Sequence, residues 1–195
     1  MIERPAFTIG IEEEYLVVDR DTRDLIGSPP PELWDRLGEV LGSKVTPEFL
    51  KAQIEVGTRV CSTVAEARED LAELRRDLSA VVSEYGGAII ASSTHPFAHW
   101  GDQQPTEKSR YLRLADDFQQ VARQLVICGM HIHVGIENPD LRIDLMNQAR
   151  YVLPHLLALS TSSPFWEGSL TGLMAYRLVI FQNLPRTGIP EEFES

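Results

Sequence analysis

A chain of 195 residues, 43% hydrophobic and 24% charged, is long enough to bury a core and has the balance of an ordinary soluble globular protein. Its formal net charge of −11 opposes nonspecific binding to nucleic acid, although a bound divalent ion can reverse the local field and admit a nucleotide. No apolar run approaches the roughly 20 residues that cross a bilayer, and Met1-Ile2-Glu3-Arg4-Pro5 lacks the basic flank and apolar stretch of a secretory signal. Two cysteines, Cys61 and Cys128, make no disulfide framework, so a cytoplasmic home is expected.

In chain order, Ala6 to Asp19 alternates apolar and polar residues up to the turn-prone Asp19-Arg20-Asp21 and predicts a strand. Pro29-Pro30-Pro31 precedes a short helix over Glu32 to Leu41 that stops near Gly42, and a second extended stretch covers Ala52 to Val60. Thr63-Val64-Ala65-Glu66 has the form of a capping box opening a helix that ends at Gly86-Gly87. Gly87 to Ser92 predicts a strand, followed by a polar loop with His95, His99 and Trp100. Thr106 is placed to cap a helix running to Cys128. Met130 to Ile136 predicts a short strand, and Pro139 begins a long helix toward Ser160, kinked at Pro154. Strands and helices that do not alternate one for one point to an α+β fold with a mainly antiparallel sheet.

Three local patterns carry chemistry. In Gly10-Ile11-Glu12-Glu13-Glu14-Tyr15 a strand sends Glu12 and Glu14 to one face and Glu13 to the other, with Phe7, Ile9, Ile11, Tyr15 and Val17 on the Glu13 side. Like charges packed together cost repulsion and desolvation, which a hard cation such as Mg²⁺ offsets; an edge strand with solvated acids is the competing reading. In Gly129-Met130-His131-Ile132-His133-Val134-Gly135, His131 and His133 share a face between glycines, and Ile132 and Val134 fall on the core side. Imidazole can ligate a metal or donate to phosphate. Glu48 and Glu55 stand seven positions apart, on opposite faces of a straight strand, so they meet at one site only across a turn or bulge. Cys61 and Cys128 lack a triad-like setting and read as packing residues; the loop histidines His95 and His99 either line the entrance to the site or, as a loop histidine beside Pro96 and Trp100 more often is, are structural. His155, after a helix proline, reads as a core or interface residue.

Together these segments resemble the type 2 glutamate–cysteine ligase, or carboxylate–amine ligase, family. The resemblance rests on G-I-E-E-E at Gly10 to Glu14, Q-I-E-V-G-T at Gln53 to Thr58 and T-H-P-F at Thr94 to Phe97. It continues with C-G-M-H-I-H-V-G at Cys128 to Gly135, S-S-P-F-W-E-G at Ser162 to Gly168 and A-Y-R at Ala175 to Arg177. The segments follow the family's order over nearly the whole chain.

The resemblance implies a fold similar to the glutamine synthetase catalytic domain, a curved, mainly antiparallel sheet with helices packed on one face. It implies Glu12, Glu14, Glu48, Glu55 and His131 as metal ligands, His133 as a phosphate contact, and Arg177 as a clamp for a carboxylate or phosphate. The implied cofactors are ATP and Mg²⁺, or Mn²⁺. The implied reaction joins glutamate to an amine such as cysteine through an acyl phosphate. Family members are usually longer and carry a further metal-binding glutamate in a C-terminal strand segment. Residues 1–195 are therefore expected to form a single, incomplete catalytic domain that turns over poorly alone. A noncatalytic nucleotide-binding or partner-assembling homologue is the alternative, and a metal-dependent amidohydrolase a more distant one. Small molecules are the expected partners, no membrane or nucleic acid is expected, and a homo-oligomer is left open.

Overall fold

The computed structural model describes residues 5–194; the reading of Met1–Arg4 as no signal lies outside the described residues. The architecture is α+β, with every strand pairing antiparallel. At its centre is β1 (Ile9–Asp19). On one side β1 pairs β3 (Gln53–Gly57), which in turn pairs the short β2 (Val45–Pro47). On the other side its two halves take different partners: β5 (Met130–Val134) along Ile9 to Glu13, and β4 (Gly87–Ile90) along Leu16 to Asp19. A single strand thus aligns segments that lie more than a hundred residues apart in the chain.

One face of this sheet is covered by α1 (Pro31–Leu41) and α2 (Val64–Glu84). Pro31 suits the first turn of α1 because its ring presets φ and it has no amide hydrogen to leave unpaired. At α2 the Thr63 hydroxyl accepts from the Glu66 amide at 3.2 Å, and the Glu66 carboxylate reaches back to the amide of Ser62 at 2.9 Å. The reciprocal arm of the capping box therefore lands one residue before the cap. Ala67, Leu71, Leu74, Leu78 and Val82 recur at helical spacing and are buried, as are Leu33, Leu37 and Leu41 of α1. Leu74, Leu78 and Val82, with the three α1 leucines, close on Tyr15, Val17, Ile54 and Val56. Each such side chain contributes about 1.5–3 kcal/mol by leaving water.

A second buried cluster joins Phe49 and Leu50, in the β2–β3 turn, to Tyr111, Ala122 and Val126. Tyr111 and Ala122 belong to α3 (Ser109–Arg123). Beyond β5 come α4 (Pro139–Ala149), α5 (Leu153–Leu159), the hairpin β6 (Phe165–Trp166) and β7 (Ser169–Leu170), and α6 (Arg177–Phe181).

Several expectations are corrected. The first strand begins at Ile9 rather than Ala6, and Phe7 takes a positive φ of 50°. The stretch expected over Ala52 to Val60 is regular only for Gln53–Gly57, and the tiny β2 escaped notice because three residues hold no periodicity. Thr106 does not cap α3: its hydroxyl donates to the Glu48 carbonyl at 2.6 Å, and the helix starts at Ser109. The long helix is interrupted over Arg150–Val152, and a new helix starts at Leu153 with Pro154 in its first turn. Ile132 and Val134 are 64% and 51% exposed rather than in the core, because α1 and α2 pack under β1, β2 and β4, and that cover stops short of β5. Ile9 and Ile11 are only half-buried for the same reason, and His155 is exposed. No helix among the described residues is long and apolar enough to cross a membrane.

Candidate functional site

The site lies on the sheet face away from α1 and α2. Antiparallel partners share a face, and the register sets Glu12 opposite His131, Gly10 opposite His133, and Glu14 opposite Glu55. Five side chains from three strands therefore project together. Glu48 joins them from the β2–β3 hairpin, whose turn reverses the chain so that Thr46 sits opposite Glu55. The turn requirement recognised in the sequence is met by this hairpin.

Ligand atoms of Glu12, Glu55 and His131 lie within 4.8 Å of one another. Two carboxylates and an imidazole at that separation could hold a hard divalent cation, and the imidazole favours Mn²⁺ beside Mg²⁺. His133 is not part of this triple. Its Nε2 stands 3.0 Å from Glu12 Oε2, and His131 Nδ1 is 3.4 Å from the same oxygen.

Glu14 and Glu48 border the triple but spend oxygens on the protein. Glu14 Oε2 accepts the Gly129 amide at 2.7 Å. Glu48 accepts from its neighbour's amide, that of Phe49, at 3.0 Å and from the Tyr111 hydroxyl at 3.1 Å. Burial raises the Glu14 carboxyl above the ordinary carboxylate range; the Gly129 amide opposes this, and the charge of Glu48 adds to it. Burial likewise raises Glu55, followed by the charges of Glu48 and Glu12. The site concentrates negative charge in a partly dehydrated place.

Arg177 approaches from the start of α6. A Cβ added at Gly129 would come 2.9 Å from Arg177 Nη2 and 3.8 Å from Glu14 Oε2, so this glycine makes room for the guanidinium beside the acids. Its Nε is buried and has no hydrogen-bond partner among the described residues. The Arg177 guanidinium lies over the Phe181 ring at 5.1 Å and makes no ion pair among the described residues.

The third acid is accounted for separately. Glu13 is buried on the helix-packed face, where Arg75 of α2 binds it bidentately, Nε to Oε2 at 2.7 Å, and Tyr15 adds a hydrogen bond. Cys61 and Cys128 are buried, and burial holds the Cys128 thiol well above its ordinary range, which makes it a packing residue. His95 is fixed by the Arg23 carbonyl at 3.0 Å and the Ala98 amide at 2.9 Å.

Sequence reasoning missed Lys44, Arg59, Asp70 and Arg75. Asp70 carried the one legible signal: it occupies a buried-face position of α2 beside Leu71, and an acid there needs partners. Lys44 donates to its Oδ1 at 3.0 Å and the Arg59 amide to its Oδ2 at 2.8 Å.

Comparison with known proteins decides the family. The profile of glutamate-cysteine ligase family 2 matches residues 8–195. The chain belongs to that family. A relative in Rhodospirillum rubrum, provisionally named glutamate–cysteine ligase 2, is 59% identical over all of this chain and 51% of its own length. One of the same name in a Jannaschia species is 54% identical over 97% of this chain and 50% of its own. The chain spans about half the length of the curated relatives it matches. Among solved structures it resembles the glutamate–cysteine ligase of Francisella tularensis in complex with AMP, with a TM-score of 0.53 and 20% identity over 76% of this chain and 30% of that one. It also resembles a bifunctional glutathione synthetase from Pasteurella multocida, with a TM-score of 0.60 and 16% identity over 82% and 24%. Both likenesses concern the fold and agree with an antiparallel sheet backed by helices.

Proposed function

We propose that this chain supplies the metal and nucleotide face of an ATP-dependent carboxylate–amine ligase that makes a γ-glutamyl amide. The observation carrying the reading is the convergence of Glu12, Glu55 and His131 on one point, bordered by Glu14 and Glu48, in a chain of this family. AMP in the Francisella tularensis relative supports a nucleotide as the ligand.

In the proposed reaction an oxygen of the glutamate γ-carboxylate attacks the γ-phosphorus of ATP, and the bond from that phosphorus to the ADP oxygen breaks. The amine nitrogen then attacks the acyl carbon, phosphate departs with the C–O bond electrons, and the amine loses a proton. No protein nucleophile is needed, in keeping with two buried cysteines. A divalent ion held by Glu12, Glu55 and His131 would offset the charge of the phosphates. Glu14 and Glu48 add negative charge that favours retaining such ions, and His133 stands where it can exchange its bond to Glu12 for one to a phosphate oxygen. Arg177, its guanidinium over Phe181, offers its remaining donors to a carboxylate or phosphate. A single catalytic domain belongs to this reading, with turnover that is slow but still depends on both substrates.

The alternative reading is nucleotide binding without turnover, in a chain that spans about half the length of its curated relatives. ADP release measured with glutamate and cysteine, each omitted in turn, separates the two. Release that needs both substrates supports the ligase. Mn²⁺–ATP binding with no release supports the binding module, and no binding of either overturns both.

A further inference from the structure

The turn that carries Glu48 is gripped from outside the sheet by the segment that leads into α3. The Thr106 hydroxyl donates to the Glu48 carbonyl at 2.6 Å and the Thr106 amide to the Phe49 carbonyl at 2.8 Å. Lys108 Nζ reaches the Pro47 carbonyl at 3.4 Å. These bonds fix the backbone on both sides of Glu48. The Tyr111 hydroxyl instead meets the carboxylate itself, with Glu48 Oε1 at 3.1 Å. A phenol has one hydrogen to give, and the Pro47 carbonyl is farther away at 3.4 Å and uncharged, so Glu48 takes it. Burial first, then the charge of Glu48, raises the phenol above its ordinary range, so it stays a donor at neutral pH.

Tyr111 is buried, with its ring edge-on to Phe49 at 5.9 Å, so its hydroxyl has a fixed position. Arg110 donates to the phenol oxygen and sets its guanidinium carbon 4.3 Å from the ring centre. A donor on that oxygen polarises the O–H, and the three groups form a chain that strengthens toward Glu48. A free glutamate side chain loses up to about 2 kcal/mol of rotamer freedom when it is ordered. The Phe49 amide on Oε2 and Tyr111 on Oε1 order this one before any ion arrives, and each oxygen keeps a lone pair. We propose that Tyr111 is a positioning residue of the metal site: it holds the Glu48 carboxylate toward the ion of Glu12, Glu55 and His131, reinforced by Arg110. The inference rests on the metal reading and deepens it by naming what orients one of the acids.

Tyr111→Phe is the primary test, because it removes only the hydroxyl and keeps the ring between Phe49 and Arg110. Electron paramagnetic resonance reads Mn²⁺ affinity on the 195-residue chain for wild type, Tyr111→Phe, Glu48→Gln and the double variant. Thermal melting in chelator is recorded for each. Tyr111→Phe is expected to weaken Mn²⁺ about tenfold, as loss of a ligand's hydrogen-bonded partner does. In the Glu48→Gln background the same change should cost less than about twofold, because Tyr111 acts through that carboxylate. Arg110→Met leaves the hydroxyl in place and should weaken Mn²⁺ about threefold, with the same dependence on Glu48. This second cycle carries the test should Tyr111→Phe melt below the assay temperature. Unchanged Mn²⁺ affinity in Tyr111→Phe beside a loss in Glu48→Gln overturns the inference and leaves the metal reading standing. Losses that simply add in the double variant also overturn it, since a tyrosine that only packs would act in either background. Wild-type affinity in Glu48→Gln overturns it as well, by removing Glu48 from the ion. A wild-type chain that binds no Mn²⁺ overturns the metal reading and this inference together.

Discussion

Glu13 Oε2 lies 2.7 Å from Arg75 Nε on the helix-covered side of β1, while its neighbours Glu12 and Glu14 face the other way. Three consecutive acids are thus divided between two tasks. The middle one ties the sheet to α2, and the outer two charge the open face. Arg75 accordingly holds its proton more tightly than a free arginine, chiefly through the hydrogen bond it donates to Glu13.

Arg75→Met would leave a buried carboxylate without its partner. A destabilisation of about 2–3 kcal/mol is expected in urea unfolding, below the full cost of breaking a fully buried pair because Arg75 is half exposed. Glu13→Gln in the same chain should recover part of the loss. A single substitution costing under about 0.5 kcal/mol would show that the pair does not hold α2 to the sheet.

The two histidines should separate. His131→Ala removes a member of the ligand triple and is expected to weaken Mn²⁺ binding by at least about tenfold, read by electron paramagnetic resonance. His133→Ala should change Mn²⁺ binding less than twofold while weakening ATP. The reverse ranking would exchange the roles assigned to them.

Without metal, Glu55 works against the fold at neutral pH. Burial first, then Glu48 and Glu12, raises its folded-state pKa above the unfolded value. A raised carboxyl favours folding only while protonated, so its relative contribution is present at low pH and lost as pH rises through the folded value. Glu55→Gln should therefore melt at a higher temperature than wild type at pH 7 in chelator, with the difference shrinking as pH falls into the carboxylate range. Adding Mn²⁺ should raise the wild-type melting temperature more than the variant's. A metal-free variant that melts lower than wild type at pH 7 would contradict the charge-crowding account.

Gly129→Ala offers a test of Arg177 that leaves the arginine in place. The new methyl would come 2.9 Å from Nη2, the far end of a flexible side chain, which can yield cheaply. The melting temperature should stay within about 2–4 °C, the equivalent of roughly 1 kcal/mol. If Arg177 clamps a substrate, glutamate or ATP affinity should drop about tenfold, as with Arg177→Ala. Full affinity in both variants would remove Arg177 from the site.

The strand alternation that divided Glu12 and Glu14 from Glu13, the His131–His133 pair, the α2 cap and the α1 and α2 apolar stripes were all legible in the sequence, because each depends on periods of two or 3.6 residues within one element. What the sequence could not set was register. Glu12 meets His131, and Glu14 meets Glu55, through hydrogen bonds between strands 41 to 119 positions apart, and no local spacing encodes which residues pair across such distances. The same holds for the partners of buried charge: Arg75 for Glu13, and Lys44 with Arg59 for Asp70, come from elements that meet only after the sheet and α2 have packed. The tertiary structure also decided the exposure of Ile132 and Val134, since an alternating pattern says which residues share a face but not whether a helix lies over it.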